Sequence, residues 1–68
     1  MPLSARNRLK GEVTEVVLGT VTALVTVKVG KDLVESVITR RSAEELKLKV
    51  GDSVTAVVKA TEVMIQKD

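Results

Sequence analysis

Ser4-Ala5-Arg6-Asn7 places a hydroxyl, a guanidinium and a carboxamide within four residues, just ahead of the first long β-type run. Together with the backbone N–H groups between them, these side chains form a dense set of hydrogen-bond donors. The chemistry such a set suits is the capture of a small oxyanion, above all a tetrahedral dianion. Taken alone, four residues of this kind near an N-terminus are an ordinary solvated lead-in to a strand. Two further groups give the pattern weight: Thr39-Arg40-Arg41-Ser42 and Lys59-Ala60-Thr61 each lie at the end of a predicted strand.

Composition narrows the alternatives. The 68 residues contain no histidine and no cysteine, which excludes Ser–His–Asp and Cys–His nucleophiles, zinc sites built on those residues, and thiol redox chemistry. Glu12, Glu15, Glu35 and Glu62 fall at strand positions where charges keep a β surface soluble, so the chain reads as a binder and not as an enzyme. No free metal cation is expected, and no organic cofactor. The chain also lacks Phe, Tyr and Trp, the side chains on which single-stranded nucleic acids stack. Arg6, Arg8, Arg40 and Arg41 could contact phosphates, but eleven cations interspersed with nine carboxylates give a net charge of only +2. That balance favours a small anion over a polyanion.

A chain this short makes one small domain, 1–68, and buries only about 60% of its unfolded surface. With no disulfide, no structural zinc and no bulky aromatic core, oligomerisation is the staple that the sequence leaves open. A homo-oligomer is expected. No apolar signal-like segment follows Met1 and no run of 18 apolar residues exists, so the expected location is cytoplasmic, away from the membrane.

The elements that must position the donor groups are mostly strands, because fourteen valines and seven threonines have stiff, branched side chains suited to a pleated surface. The first strand is predicted over Arg8 to Leu18, bent or bulged at Gly11. Gly19-Thr20 has the spacing of a tight hairpin with glycine at its first central position. In the second strand, Val21, Ala23, Val25, Val27 and Val29 face one way, with Thr22, Thr26 and Lys28 opposite. A turn at Gly30-Lys31-Asp32 leads to a third strand, Leu33 to Thr39, apolar on both faces and therefore suited to a subunit contact. Ser42-Ala43-Glu44-Glu45 has the form of a capping box, which predicts a short helix starting at Ser42. Its N-terminus would favour negative charge. Ser53 to Ala60 forms the fourth strand, with Lys59 facing away from the core, and Val63 to Gln66 the fifth. The fold class is all-β: a five-stranded OB-like barrel with one short helix between strands 3 and 4.

Four segments together give the chain a family likeness: Ser4-Ala5-Arg6-Asn7, Ile38-Thr39-Arg40-Arg41-Ser42, Leu48-Lys49-Val50-Gly51 and Val58-Lys59-Ala60-Thr61. In their order and spacing, over nearly the whole chain, it resembles the molbindins, small cytoplasmic molybdate-binding proteins made of a single Mop domain of the TOBE type. The resemblance implies a homohexamer, a trimer of dimers, holding molybdate or tungstate at its subunit interfaces for storage and homeostasis. One subunit would contribute Ser4, Ala5, Arg6, Lys59 and Ala60, with Asn7 beside them, and its partner Thr39 and Ser42. The resemblance also implies a second class of interface site, which would lie near the backbone of Gly19, Thr20 and Val21. The doubly cationic Arg40-Arg41 departs from the family pattern. The alternative from another class is a non-enzymatic regulatory or interaction module of OB-like form that docks on a protein or a nucleic acid.

Overall fold

The computed structural model describes residues 6–68. Four strands form one antiparallel sheet: β1 (Asn7–Leu18), β2 (Thr22–Val29), β3 (Asp32–Thr39) and β4 (Ser53–Val58), in the spatial order β3-β2-β1-β4. Helix α1 (Arg40–Glu45) links β3 to β4. The 12-residue β1 is the spine of the sheet. Its first half pairs with β4, from Asn7↔Val58 to Glu12↔Ser53, and its second half with β2, from Glu12↔Lys28 to Leu18↔Ala23.

Two local features let β1 serve two partners. At Gly11, a Cβ would stand 2.3 Å from the Lys28 carbonyl oxygen and 2.8 Å from a Val27 methyl, so only glycine admits so close an approach of β2. The bulge itself lies two residues on, where the β1–β2 register shifts between Val13 and Glu15. A bulge bends and twists its strand, and here it turns Val13 fully inward. Val13 is 0% exposed and packs with Val25 and Val27, around which Val16, Val29, Ile38, Leu48 and Val54 close. The predicted alternation of β2 holds for Ala23, Val25 and Val27, all buried, but Val21 precedes the strand and is exposed. Past the bulge, Thr26 on the opposite face is also buried.

Three expectations need correction. The helix begins at Arg40 and not at Ser42, because Thr39 is its N-cap: Thr39 Oγ1 accepts a hydrogen bond from the Ser42 N–H at 3.0 Å. Two residue pairs compete here as caps, and the threonine at the strand end takes the position. The hairpin after β1 is wider than a two-residue turn, since Gly19-Thr20-Val21 intervenes and the Gly19 N–H donates to the Thr22 carbonyl at 2.7 Å. Finally, Val63–Gln66 forms no strand. β4 stops at Val58, a 3-10 turn over Ala60–Glu62 carries the chain off the sheet, and Met64 and Ile65 are about nine-tenths exposed. Without a fifth strand between them, β3 and β4 are not paired, and the sheet is a curved, open one. The gap is a groove of about 260 Å³, lined among others by Val34, Ile38, Leu46, Val54, Ala56 and Val58.

The end of α1 carries a Schellman motif. The Lys47 N–H donates to Glu44 O at 3.1 Å and the Leu48 N–H to Ala43 O at 3.2 Å, with Lys47 in the left-handed region at φ 53°. Among the described residues, Lys47 is the one non-glycine residue at positive φ. A Cβ there costs about 1 kcal/mol that glycine avoids, partly offset by glycine's greater freedom in the unfolded chain. Lys47→Gly is therefore expected to stabilise the fold by about 0.5–1 kcal/mol, read as a higher urea midpoint with unchanged slope; a lower midpoint would contradict this account of the cap.

Candidate functional site

The donor groups sit at two places. Asn7 and Val58 form the last pair of the β1–β4 ladder, so Arg6 and Lys59, one residue beyond on each strand, emerge side by side at one end of the sheet. Both are exposed. Lys59 precedes the 3-10 turn, its carbonyl accepting the Glu62 N–H at 2.9 Å, and Ala60 opens that turn. Ser4 and Ala5 lie outside the described residues.

Thr39 and Ser42 are at the other end. β3 is the opposite edge of the sheet, and Thr39 pairs with Thr22 at the start of β2, next to the finish of β1. Thr39 Oγ1 accepts from the Ser42 N–H and donates to Ser42 Oγ at 2.8 Å. Its own proton is thereby used, and the Ser42 hydroxyl has no acceptor of its own among the described residues. A donor polarised by a hydrogen bond to its own oxygen is a stronger donor. The turn Gly19-Thr20-Val21 shares this end: the Arg40 N–H donates to Val21 O at 2.8 Å, and Arg40 Nη1 to Gly19 O at 3.2 Å.

Each chain therefore holds two half-sets of donors, Arg6 with Asn7, Lys59 and Ala60 at one end of β1, and Thr39 with Ser42 and the Gly19–Val21 turn at the other. Eleven steps of about 3.3 Å put the two ends of β1 a contour of about 36 Å apart. No single tetrahedral ion spans that. Among the described residues, Arg40–Glu44 at 3.4 Å is the one ion pair, which leaves Arg6, Arg41 and Lys59 without a carboxylate partner there. Also among the described residues, no cluster of acidic side chains could hold a metal cation. The arrangement suits anions, bound through hydroxyl, amide and cationic donors.

The described members of the predicted clusters fall at two ends of the molecule, and that division is a property of the strand order, which spacing along the chain does not give. Arg40 was singled out by its charge alone; the i, i+4 spacing to Glu44 signals their ion pair, whereas its bond to Gly19 has no local signal.

Comparison with known proteins identifies the family. The TOBE domain family profile matches residues 3–65. Molybdenum-pterin-binding protein 3 of Clostridium pasteurianum is 50% identical over 66 residues, which cover 96% of this chain and 97% of that protein. Among solved structures, a molybdate-binding protein from Sporomusa ovata superposes with a TM-score of 0.94 at 42% identity, over 98% of this chain and 100% of the other. The cytoplasmic molybdate-binding protein ModG, solved with molybdate bound, gives a TM-score of 0.82 at 41% identity, over 88% of this chain and 43% of that longer one. Sharing sequence over nearly its full length and the same OB-like fold, the chain belongs to the TOBE domain family and, within it, to the molbindin (Mop) group.

Proposed function

We propose that this protein binds molybdate, and tungstate of the same shape, reversibly at interfaces between copies of itself, as a cytoplasmic store that buffers the oxyanion. The observation that carries the reading is the placement of cationic donors and hydroxyl donors at opposite ends of β1. One chain cannot close a site with both, whereas two chains meeting end to end can, with Ser4, Ala5, Arg6, Asn7, Lys59 and Ala60 from one and Thr39 and Ser42 from the next. The turn Gly19-Thr20-Val21 serves as a second interface site. Among the described residues, the Thr20 and Val21 N–H groups have no acceptor. No bond is made or broken, and the protein is not an enzyme.

Self-association has its own support. The groove between β3 and β4 is apolar and open, while Val63, Met64 and Ile65 project from the same chain with no covering. A strand from a partner's tail would fill the groove and complete a five-stranded barrel. On the outer face of the sheet, register aligns Val17, Leu24 and Val37 across three strands, and Val17 and Val37 are 50% and 70% exposed. Two separate uncovered apolar surfaces are what a trimer of dimers needs, since it uses two kinds of interface.

The names of the relatives mention both molybdate and molybdenum-pterin. A pterin ring is held best by stacking, and this chain has no aromatic side chain to stack on it. The free oxyanion is the better fit. A few charge-assisted hydrogen bonds, each about 1.5–3 kcal/mol, suffice for micromolar affinity, about −8 kcal/mol.

The test is isothermal titration with sodium molybdate in excess sulfate, with the mass of the same sample measured by light scattering. Saturable heat on a particle six times the 7.3 kDa chain supports the reading. A folded monomer with a flat titration would overturn it in favour of an interaction module for protein or nucleic acid.

A further inference from the structure

We infer that Arg8 and Lys10 form an electrostatic approach for the anion, a row of charge on the outer face of β1 that speeds capture at the Arg6–Lys59 end without touching the bound ion. The inference rests on the oxyanion reading above and deepens it by assigning a role to two cations that the site itself does not use.

Successive side chains point to opposite faces of a strand, so Arg8 and Lys10 share one face of β1. The ladder to β4 fixes which face that is. Leu9 and Gly11 pair with Ala56 and Val54, both partly buried, whereas Arg8 and Lys10 pair with Val57 and Thr55, both exposed. Arg6 lies two residues before Arg8, and Lys59, still extended at φ −67° and ψ 133°, lies two residues after Val57. All four cations are exposed, and none is paired with a carboxylate among the described residues. The row ends at Glu12, which stands opposite Lys28 of β2, so that those two charges offset each other. One carboxylate is held at the site end itself: Glu62 follows in the 3-10 turn, its N–H donating to the Lys59 carbonyl at 2.9 Å.

Distance decides what each charge does. Two strand residues span about 6.6 Å, which puts Arg8 about 7 Å and Lys10 about 13 Å beyond Arg6. Screening sets in over about 8 Å at physiological ionic strength and over about 30 Å at 0.01 M. Arg8 therefore acts on an approaching dianion under both conditions, and Lys10 chiefly at low salt. Charges at the rim of a site govern the rate of encounter and its salt dependence, and leave the escape of a seated ligand nearly unchanged. A point charge suffices for that task, so lysine serves at position 8 as well as the forked guanidinium does.

The experiment is an NMR line-shape titration of the intact, isotope-labelled protein with sodium molybdate, followed at the Lys59 and Ala60 amides, which yields Kd and koff and hence kon. The parent is compared with Arg8→Gln, Arg8→Lys, Lys10→Gln, Glu62→Gln and Lys28→Gln at about 0.01 M and about 0.15 M ionic strength. Arg8→Gln is expected to slow kon about fivefold at the lower ionic strength and about twofold at the higher, with koff close to the parent's. Lys10→Gln should slow it about twofold at the lower and hardly at all at the higher. Arg8→Lys should keep the parent's kon, and Glu62→Gln should raise it at low salt. Lys28→Gln, about 20 Å from Arg6 by six strand steps, should leave it nearly unchanged. A loss in Arg8→Gln carried by koff, or an Arg8→Lys as impaired as Arg8→Gln, would show direct contact with the ion and overturn the inference. So would a parental kon in Arg8→Gln, or a loss in Lys28→Gln equal to it. In each of those outcomes the parent still binds and the oxyanion reading stands. A folded parent that binds no molybdate overturns the reading and this inference with it.

Discussion

Arg6→Ala and Lys59→Ala are each expected to lower the proposed molybdate affinity by about tenfold to a hundredfold while the protein keeps its fold. The magnitude follows from removing one charge-assisted hydrogen bond of about 1.5–3 kcal/mol, at about 1.4 kcal/mol per decade. The fold survives because both side chains are exposed and neither makes an ion pair among the described residues. The sharper form of the result comes from mixing. Lys59→Ala is defective at one end of β1 and Ser42→Ala at the other, so a homogeneous sample of either has every interface site damaged. After co-refolding, an interface that takes Lys59 from one variant and Ser42 from the other is whole, and random assembly produces it at about a quarter of the positions. Titration of the co-refolded mixture should recover about that fraction of tight sites. If the mixture binds no better than its components, Lys59 and Ser42 serve the same site from one chain or no site at all, and the sharing between subunits is wrong.

Gly11→Ala is expected to destabilise the protein by on the order of 3 kcal/mol. The added Cβ would stand 2.3 Å from the Lys28 carbonyl oxygen and meet Val27 and Val29 methyls at 2.8 and 3.0 Å. A flexible side chain could step aside, but the closest obstacle is backbone. Relief requires β2 to lift from β1 beside Val13, the most deeply buried side chain of the core. For a small domain, each kcal/mol corresponds to about 4–8 °C in Tm, so a fall of well over 10 °C should be seen at fixed protein concentration. A change below about 1 kcal/mol would mean that β1 and β2 do not approach so closely in solution.

The strands were legible because valine at period two in β2 is a local signal with one solution: Ala23, Val25 and Val27 must face the core together. The helix was legible in place but not in phase. Ser42 with Glu45 and Thr39 with Ser42 both have the three-residue spacing of a cap, and the choice depends on where β3 ends, which is set by its pairing with β2 through Thr22↔Thr39. Val63 to Gln66 has the composition of a strand, yet a strand needs a partner, and none of the described strands pairs with it. The candidate site divides the same way. Residue types at 6, 39, 42 and 59 are a local signal, and the anion reading proposed above starts from them. Which of them are neighbours depends on β1 running the length of the sheet between β4 and β2, and Arg40's hold on Gly19 spans 21 residues of chain. Both are products of tertiary arrangement.

The two-ended layout of β1 also bears on how capacity is counted. A chain that carries one half-set at each end resembles a link with a hook and an eye, and under the proposed sharing every joint between links is one site. In a closed arrangement of any size, hooks and eyes are equal in number and none is idle, so sites of this shared class equal chains. An assembly that fails to close leaves one hook and one eye unmatched and always falls one site short. Closure is then a condition of full loading, and a shortfall of ions per chain would report open, incomplete particles.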